Sequence, residues 1–245
     1  MTLSGLVIVV AGASKGIGKE IALRAASDGA SVVINYLSDS KGANAVVSEI
    51  GSNRAIAVQA DISKVDEVDR LIDATVSRFG KIDVLIPNAA FVPAVDMESL
   101  TEELFDRSFA VNVKGPCFLA KKAIPFMAPG SKIIFISTDL TESSFVRPDF
   151  LLYLATKGAM NQMVRVLARD LAKKDIRVNA ISPGATSTEL FNQMNSDELI
   201  QRIASSNPFG RIGTPEEIAA AVSLLWGSDS AWINGQVLRV NGGTI

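Results

Sequence analysis

An unbroken aliphatic run, Leu6-Val7-Ile8-Val9-Val10, passes directly into Ala11-Gly12-Ala13-Ser14-Lys15-Gly16-Ile17-Gly18 and then into a helical pattern over residues 19–27. A short apolar strand that ends in glycines and turns at once into a helix is the opening βα unit of a dinucleotide-binding fold. The spacing is Gly-x-x-x-Gly-x-Gly, not Gly-x-Gly-x-x-Gly, but the physical roles carry over. Gly12 permits the turn, Gly16 lets backbone approach a pyrophosphate, Gly18 lets the helix pack on the strand, and the helix N-terminus faces the anion. Ser14, Lys15 and Ile17 complete the expected cradle. The plainer alternative is a glycine loop that only closes a tight strand-to-helix connection.

The same alternation continues to the end of the chain. Apolar runs that read as strands recur at residues 6–10, 31–35, 55–59, 82–86, 132–137, 177–181 and 236–240. Helix-like stretches fall between them at 17–27, 42–50, 64–79, 102–127, 153–173 and 215–226. Strand and helix in strict alternation imply an α/β fold: one Rossmann-type domain over residues 1–245, a doubly wound parallel sheet with helices on both faces. Ligands of such sheets bind beyond the carboxyl ends of the strands, and Gly12, Asn88, Thr138 and Pro183 all follow strand ends.

Hydrophobic residues make up 48% of the 245 and charged residues 20%, with a formal charge of −2. No basic field is present to recruit nucleic acid or an anionic membrane. No apolar run reaches the length of a membrane span, and no basic residue precedes 6–13 to make a signal peptide, so the expectation is a soluble, cytoplasmic protein. Cys117, the only cysteine, is expected to be a buried small hydrophobe among Phe118, Leu119 and Ala120. Histidine is absent altogether, which removes Ser-His-Asp triads, Cys-His pairs and histidine-ligated metals; no metal site is expected. Acid/base chemistry is left to carboxylates, lysines and two tyrosines, Tyr36 and Tyr153.

Tyr153 is followed four residues later by Lys157. On a helix that spacing puts both on one face, where the ammonium favours the ionised phenol. A phenol titrates near pKa 10 and needs such help to exchange protons at neutral pH, so the pair is a candidate acid/base. A half-buried tyrosine beside a solvated lysine is the chance alternative.

With these residues in place, the chain resembles the short-chain dehydrogenase/reductase family over residues 6–243. The resemblance is carried by Ala11 to Gly18, Asp61-Ile62, Asn88-Ala89-Ala90, Val111-Asn112-Val113, Ile136-Ser137-Thr138, Tyr153-Leu154-Ala155-Thr156-Lys157, Pro183-Gly184, Gly210 to Ala219 and Asn241-Gly242-Gly243. It implies that Tyr153 exchanges a proton with the substrate oxygen and that Lys157 lowers the phenol pKa and bonds the nicotinamide ribose. Asn112 would hold a water that extends the proton path. Asp61, with Ile62 beside it, would accept from the adenine amino group, while Asn88-Ala89-Ala90 and Pro183-Gly184 would support the cofactor. Asp61 as a helix cap, and Asn112 as a polar residue inside a helix, are the alternatives.

Three departures from the family pattern stand out. Ala11 replaces a threonine, Ala90 replaces a glycine, and Thr138 takes the place of the substrate-orienting serine. Strand alternation allows only one of Ser137 and Thr138 to face the site, and alignment favours Thr138. The interval from Thr138 to Tyr153 is also longer than usual, leaving an enlarged loop at 139–149.

A carboxylate ending the second strand would bind the ribose 2′-hydroxyl of NAD. Asn35 and Tyr36 stand there instead, and Lys15 adds a cation, so NADP(H) is the expected cofactor. The expected substrate is a small carbonyl compound or alcohol, contacted by residues 90–95, 139–152 and the mobile-looking segment 185–208. The charges of the 139–149 loop are expected to be solvated at the pocket mouth. Apolar surface on the helices at 102–127 and 153–173 suggests a homodimer or homotetramer. Two rival readings keep the fold: a non-redox catalyst of cyclisation or dehydration, and a non-catalytic dinucleotide sensor.

Overall fold

The computed structural model describes residues 3–245. Its strands are β1 (Val7–Ala11), β2 (Ser31–Tyr36), β3 (Ala55–Gln59), β4 (Val84–Pro87), β5 (Lys132–Ile136), β6 (Arg177–Pro183) and β7 (Val237–Val240). They form one sheet in the order β3-β2-β1-β4-β5-β6-β7, every neighbouring pair parallel. The helices are α1 (Gly16–Ser27), α2 (Ser40–Ile50), α3 (Val65–Phe79), α4 (Glu102–Phe109), α5 (Gly115–Ala123), α6 (Leu151–Leu171), α7 (Glu189–Met194), α8 (Asp197–Ser206) and α9 (Pro215–Trp226).

Parallel strands buried on both faces must be apolar throughout, and β1 is buried at all five positions. Alternation divides it between two cores. Ile8 and Val10 pack with Ile21 of α1 and Ile218, Val222 and Trp226 of α9. Val9 and Ala11 pack with Leu71 of α3, Leu119 of α5 and Met160 and Val164 of α6. The chain runs outward from β1 to β3 and then crosses back to β4 on the other side of β1. That reversal opens a crevice at the carboxyl ends of β1 and β4.

The Gly210 to Ala219 motif proves to be the start of α9. Thr214 accepts from the Glu217 amide, the Glu217 carboxylate returns the bond to the Thr214 amide, and Pro215 sits in the first turn. Arg211 and the Thr214 amide together hold the Glu217 carboxyl down to about 2.

The structure differs from the sequence expectation in three places. The stretch 102–127 is not one helix: a π turn at Ala110–Lys114 separates α4 from α5, and a 3₁₀ turn at Ile124–Phe126 ends it. The 185–208 segment contains α7 and α8, capped by Thr188 and Ser196. Cys117 is exposed, because α5 turns Leu119 and Ala120 inward instead. Among the described residues no helix is long and apolar enough to cross a membrane, and no side-chain cluster is placed to hold a metal ion.

Candidate active site

Register brings the first elements of the site together. Ala11 pairs with Pro87, so Gly12 and Asn88 leave the sheet side by side. Asn88 Nδ2 donates to the carbonyls of Ala11 and Gly12 at 3.0 and 2.9 Å. Gly12 has φ +68°, and a Cβ there would lie 2.8 Å from Ala89; a Cβ on Gly18 would lie 2.2 Å from the Gly12 carbonyl. Both glycines are therefore demanded by packing. Ala89 fills the space against Gly12, whereas Ala90 is exposed at the rim, so its extra methyl does not crowd the turn.

The N-terminus of α1 is the open end of this cradle. No side chain caps it, as none caps α3, α5 or α6, while Asp39, Thr101, Thr188, Ser196 and Thr214 cap α2, α4, α7, α8 and α9. Free N–H groups and the helix dipole fit a pyrophosphate. Gly16 (φ +57°) faces the Thr188 methyl across this space, and Lys15 forms a 3.1 Å ion pair with Glu189. Ser14 and Ile17 lie half-buried in the same turn. Thr188 was not singled out from sequence; a hydroxyl five residues beyond Pro183 was its only signal.

Asn35 does a different job from the one expected. Fully buried, it accepts from the Gly12 amide at 3.3 Å and donates to the Val58 and Ala60 carbonyls at 3.3 and 3.0 Å. Its amide ties the glycine turn to β3 and is not turned to a ribose. Alternation instead sends Tyr36 to the opposite face of β2, where it packs half-buried against the core that holds Ile34, and the exposed Leu37 and Ser38 follow. Asp61 accepts from the Ser63 amide and hydroxyl at 3.0 and 2.7 Å, and Ile62 is buried where Gly115 opens α5 against its carbonyl. Asp61 thus orders the turn that leads into α3.

The proton-bearing groups gather at the end of β5. Thr138 bonds the Tyr153 phenol through its hydroxyl and also accepts from the Leu140 amide at 3.4 Å, while Ser137 donates at 2.6 Å to Asn161, further along the same helix α6. Lys157 is buried, its Nζ donating to the Ile136 carbonyl at 2.5 Å and lying 5.7 Å from the Tyr153 ring centre. The sequence suggested that this ammonium would lower the phenol pKa. Here burial pushes Tyr153 up to about 12, opposed by the Thr138 hydrogen bond and reinforced by the Asp139 carboxylate. Burial likewise pushes Lys157 down to about 8. Lys157 sits out of water and Tyr153 is half-buried, and each is driven toward its neutral form.

Asn112 sits in the π turn, fully buried. Its Oδ1 accepts from the Phe91 amide at 2.7 Å, and its Nδ2 donates to the Phe91 carbonyl at 2.8 Å and to Thr156 at 3.1 Å. Both ends of the amide are engaged with protein groups, so the side chain acts as a strut between the 88–91 turn and α6.

Three segments wall the cleft. The Val95 amide donates to the Asp149 carbonyl at 2.7 Å, and Arg147 pairs with Asp149 while donating to Asn195, the C-cap of α7, at 3.1 Å. Phe150 tilts against Tyr153 with ring centres 6.0 Å apart. The loop charges are not simply solvated as expected: Asp139 is buried, Arg147 is paired, and Glu142 meets Arg239 at 3.4 Å. Pro183 and Gly184 close the floor, with Gly184 donating to the Val240 carbonyl.

Comparison with known proteins agrees with this geometry. A family model described as enoyl-(acyl carrier protein) reductase matches residues 12–244. An uncharacterized oxidoreductase of Methylorubrum extorquens is 41% identical over 245 residues, covering 98% of both chains. Among solved structures, a short chain dehydrogenase from Burkholderia cenocepacia in complex with NADP is 32% identical, with a TM-score of 0.94 over 100% of this chain and 99% of that one. The angucycline C-6 ketoreductase LanV with bound NADP is 33% identical, with a TM-score of 0.92 over 99% and 96%. A glycine cradle at the β1/β4 crevice, a buried tyrosine–lysine pair beyond β5 and matches spanning nearly the whole length agree: the chain belongs to the short-chain dehydrogenase/reductase family of oxidoreductases.

Proposed function

We propose that the protein is a cytoplasmic, NADPH-dependent carbonyl reductase that works as a homo-oligomer. The observation that carries the reading is the phenol of Tyr153, neutral, half-buried at the cleft and hydrogen-bonded by Thr138. When bound, the reduced nicotinamide supplies a hydride to the carbonyl carbon. Tyr153 supplies the proton: the C=O π bond opens, C–H and O–H bonds form, and an alcohol and the oxidised dinucleotide leave. Thr138 donates to the oxygen on which negative charge develops. Lys157 and Tyr153 would hold the ribose side of the cofactor, and Lys157 would return a proton to the phenol. The strut at Asn112 keeps α6 in place behind them.

Cofactor choice rests on the rim of β2. Among the described residues the nearest carboxylate in the chain, Asp39, caps α2 through the Gly42 amide at 2.9 Å. The nearby cations are Lys15 and Lys41, both exposed. Absence of repulsion together with two cations favours a 2′-phosphate. The NADP held by the Burkholderia protein and by LanV supports the same choice.

The substrate class we favour is a cyclic ketone with a flat ring. Phe150 sets a ring against Tyr153, and the similar LanV is by its name an angucycline C-6 ketoreductase. The test is NADPH consumption across a panel of aliphatic, acyl and fused-ring ketones, repeated with Tyr153→Phe. Loss of turnover with NADPH binding retained is the expected result. Turnover that survives the substitution would overturn the assignment of the proton donor.

A further inference from the structure

We propose that Asn161 is a positioning residue for the reduction: its amide clasps the segment that carries Thr138 from both sides and so aims the Thr138 hydroxyl. The proposal rests on the reading of Thr138 as a donor to the substrate oxygen. Tyr153, Lys157 and Asn161 follow one another four residues apart along α6, so they share the face that meets the end of β5. Each takes one of three consecutive residues there. Lys157 bonds the Ile136 carbonyl, Asn161 receives the Ser137 hydroxyl, and Tyr153 bonds Thr138.

Thr138 stands at a break in regular structure. Strand β5 ends at Ile136, and Asp139–Thr141 make a single 3₁₀ turn with Thr138 as its N-cap. One such turn has little hydrogen bonding of its own, so the direction of Thr138 depends on what ties the segment down. On the strand side, the Ser137 amide donates to the Ile181 carbonyl at 2.8 Å and the Ser137 hydroxyl donates to Asn161 Oδ1 at 2.6 Å. On the turn side, Asn161 Nδ2 donates to Thr141 Oγ1 at 3.1 Å, and the Thr141 hydroxyl donates in turn to the Thr138 carbonyl at 3.0 Å. Because Thr141 spends its proton on that carbonyl, it can only accept from Asn161, which fixes the orientation of the amide. Asp139 also ties the turn, to Asn241 at 3.1 Å, but among the described residues only Asn161 holds both sides of Thr138 with one side chain.

The clasp decides where the Thr138 proton goes. Leu140, inside the clasped turn, donates its amide to Thr138 Oγ1 at 3.4 Å. That bond uses a lone pair of the hydroxyl and leaves its proton free for the oxygen on which charge develops. A β-branched side chain has few χ1 choices, so holding the backbone on both sides and the Oγ1 from one side selects a single rotamer. With Asn161 removed, the turn keeps its tie to Asn241 and loses the pair of bonds that sets Thr138 against Tyr153.

The test is a double-mutant cycle on kcat, with the ketone of the panel that the unmodified protein reduces fastest. Asn161→Ala should lower kcat about tenfold while the Kd for NADPH is unchanged, less than the roughly 10²-fold loss expected when Thr138→Val removes the hydroxyl itself. In the Thr138→Val background, Asn161→Ala should change kcat by about twofold or less, because no hydroxyl is left to aim. Thr141→Val breaks the turn-side half of the clasp and should follow the same pattern, which keeps the comparison should Asn161→Ala not fold. Independently of turnover, the Thr138 methyl resonance, identified by its loss in Thr138→Val, should report one χ1 rotamer in the unmodified chain and rotamer averaging after Asn161→Ala. Equal losses of kcat with and without the Thr138 hydroxyl would overturn the proposal, since Asn161 would then only pack α6 on the sheet, and so would an unmoved rotamer. A fully active Thr138→Val would remove Thr138 from the reaction and the proposal with it. An impaired Thr138→Val beside an unimpaired Asn161→Ala would remove only the role of Asn161.

Discussion

Lys157 is costly to bury. It is 2% exposed, its one hydrogen-bond acceptor is the Ile136 carbonyl, and no carboxylate pairs with it among the described residues. With its pKa depressed from 10.5 to about 8, the unfolded chain binds more protons between those values, so stability rises with pH across that window. Tyr153 acts in the opposite sense: raised from 10.0 to about 12, its contribution is present below the lower value and lost toward the upper. Lys157→Met should therefore stabilise the fold at pH 7 by about 1–3 kcal/mol, with the gain fading toward about pH 10, while turnover collapses. Urea unfolding at the two pH values checks it; a less stable methionine variant at pH 7 would mean that the ammonium is adequately solvated. Asn35 and Tyr36 make a second pair of opposites. Asn35→Asp would set a carboxylate against the Val58 and Ala60 carbonyls and should cost about 2–4 kcal/mol. Tyr36→Asp gives up the packing of the ring on the core and should cost about 1–3 kcal/mol, while moving cofactor preference toward NADH, measured by equilibrium binding of both dinucleotides.

The elements around the cleft form a roof held by polar ties. Glu189 of α7 reaches Lys15, and Asn195 at the other end of α7 receives Arg147. Both ties are at least partly exposed, so they contribute little to global stability. Arg147→Ala should accordingly raise KM for the carbonyl several-fold, leave NADPH affinity unchanged and cost under about 1 kcal/mol. A large loss of stability would mean that the 139–150 loop is part of the folding core. The roof is also where the sequence was least legible. The sheet and most helices follow from apolar runs of period two and 3.6, because burial against both faces leaves a strong pattern. Helix α7 is six residues long, too short to leave a pattern, whereas α8 is amphipathic and its periodicity over 197–206 was readable, as were the caps Thr188 and Ser196. The π turn at 110–114 adds a residue to one turn and buries the polar Asn112 there, a local change that a reading of 102–127 as one apolar helix passes over. In the site, neighbours along the chain were readable and directions were not. Alternation alone did not separate Thr138 from Ser137, since both bond side chains of α6, and nothing in the spacing of Tyr153 and Lys157 told that the ammonium turns to a strand carbonyl.

At the scale of the whole molecule, two apolar surfaces ask for partners. On the outer side of α5 and α6, Cys117, Ala159, Met163, Val166 and Leu167 line a groove of about 450 Å³, with Val166 65% exposed. Across the molecule, Leu224 at the end of α9 and Trp232 before β7 are 70% and 98% exposed beside the unpaired edge of the sheet. A tryptophan so exposed is an unusual surface residue unless something covers it, and an open sheet edge is a ready site of association. Two separate self-complementary faces on one chain build a tetramer of two-fold axes, one face a dimer. Light scattering at micromolar concentration should therefore give about four times the 26.0 kDa chain mass. Trp232→Ser should reduce the species to a dimer held by α5 and α6, and Val166→Glu to a dimer held by the α9 edge, since a charge buried at the centre of an apolar face is not tolerated. Cys117 reports on the first face independently: its thiol should react slowly in the unmodified assembly and faster after Val166→Glu. A 26.0 kDa species from the unmodified chain would show that both surfaces face water, and a Cys117 reaction rate indifferent to Val166→Glu would show that the α5–α6 groove is not an interface.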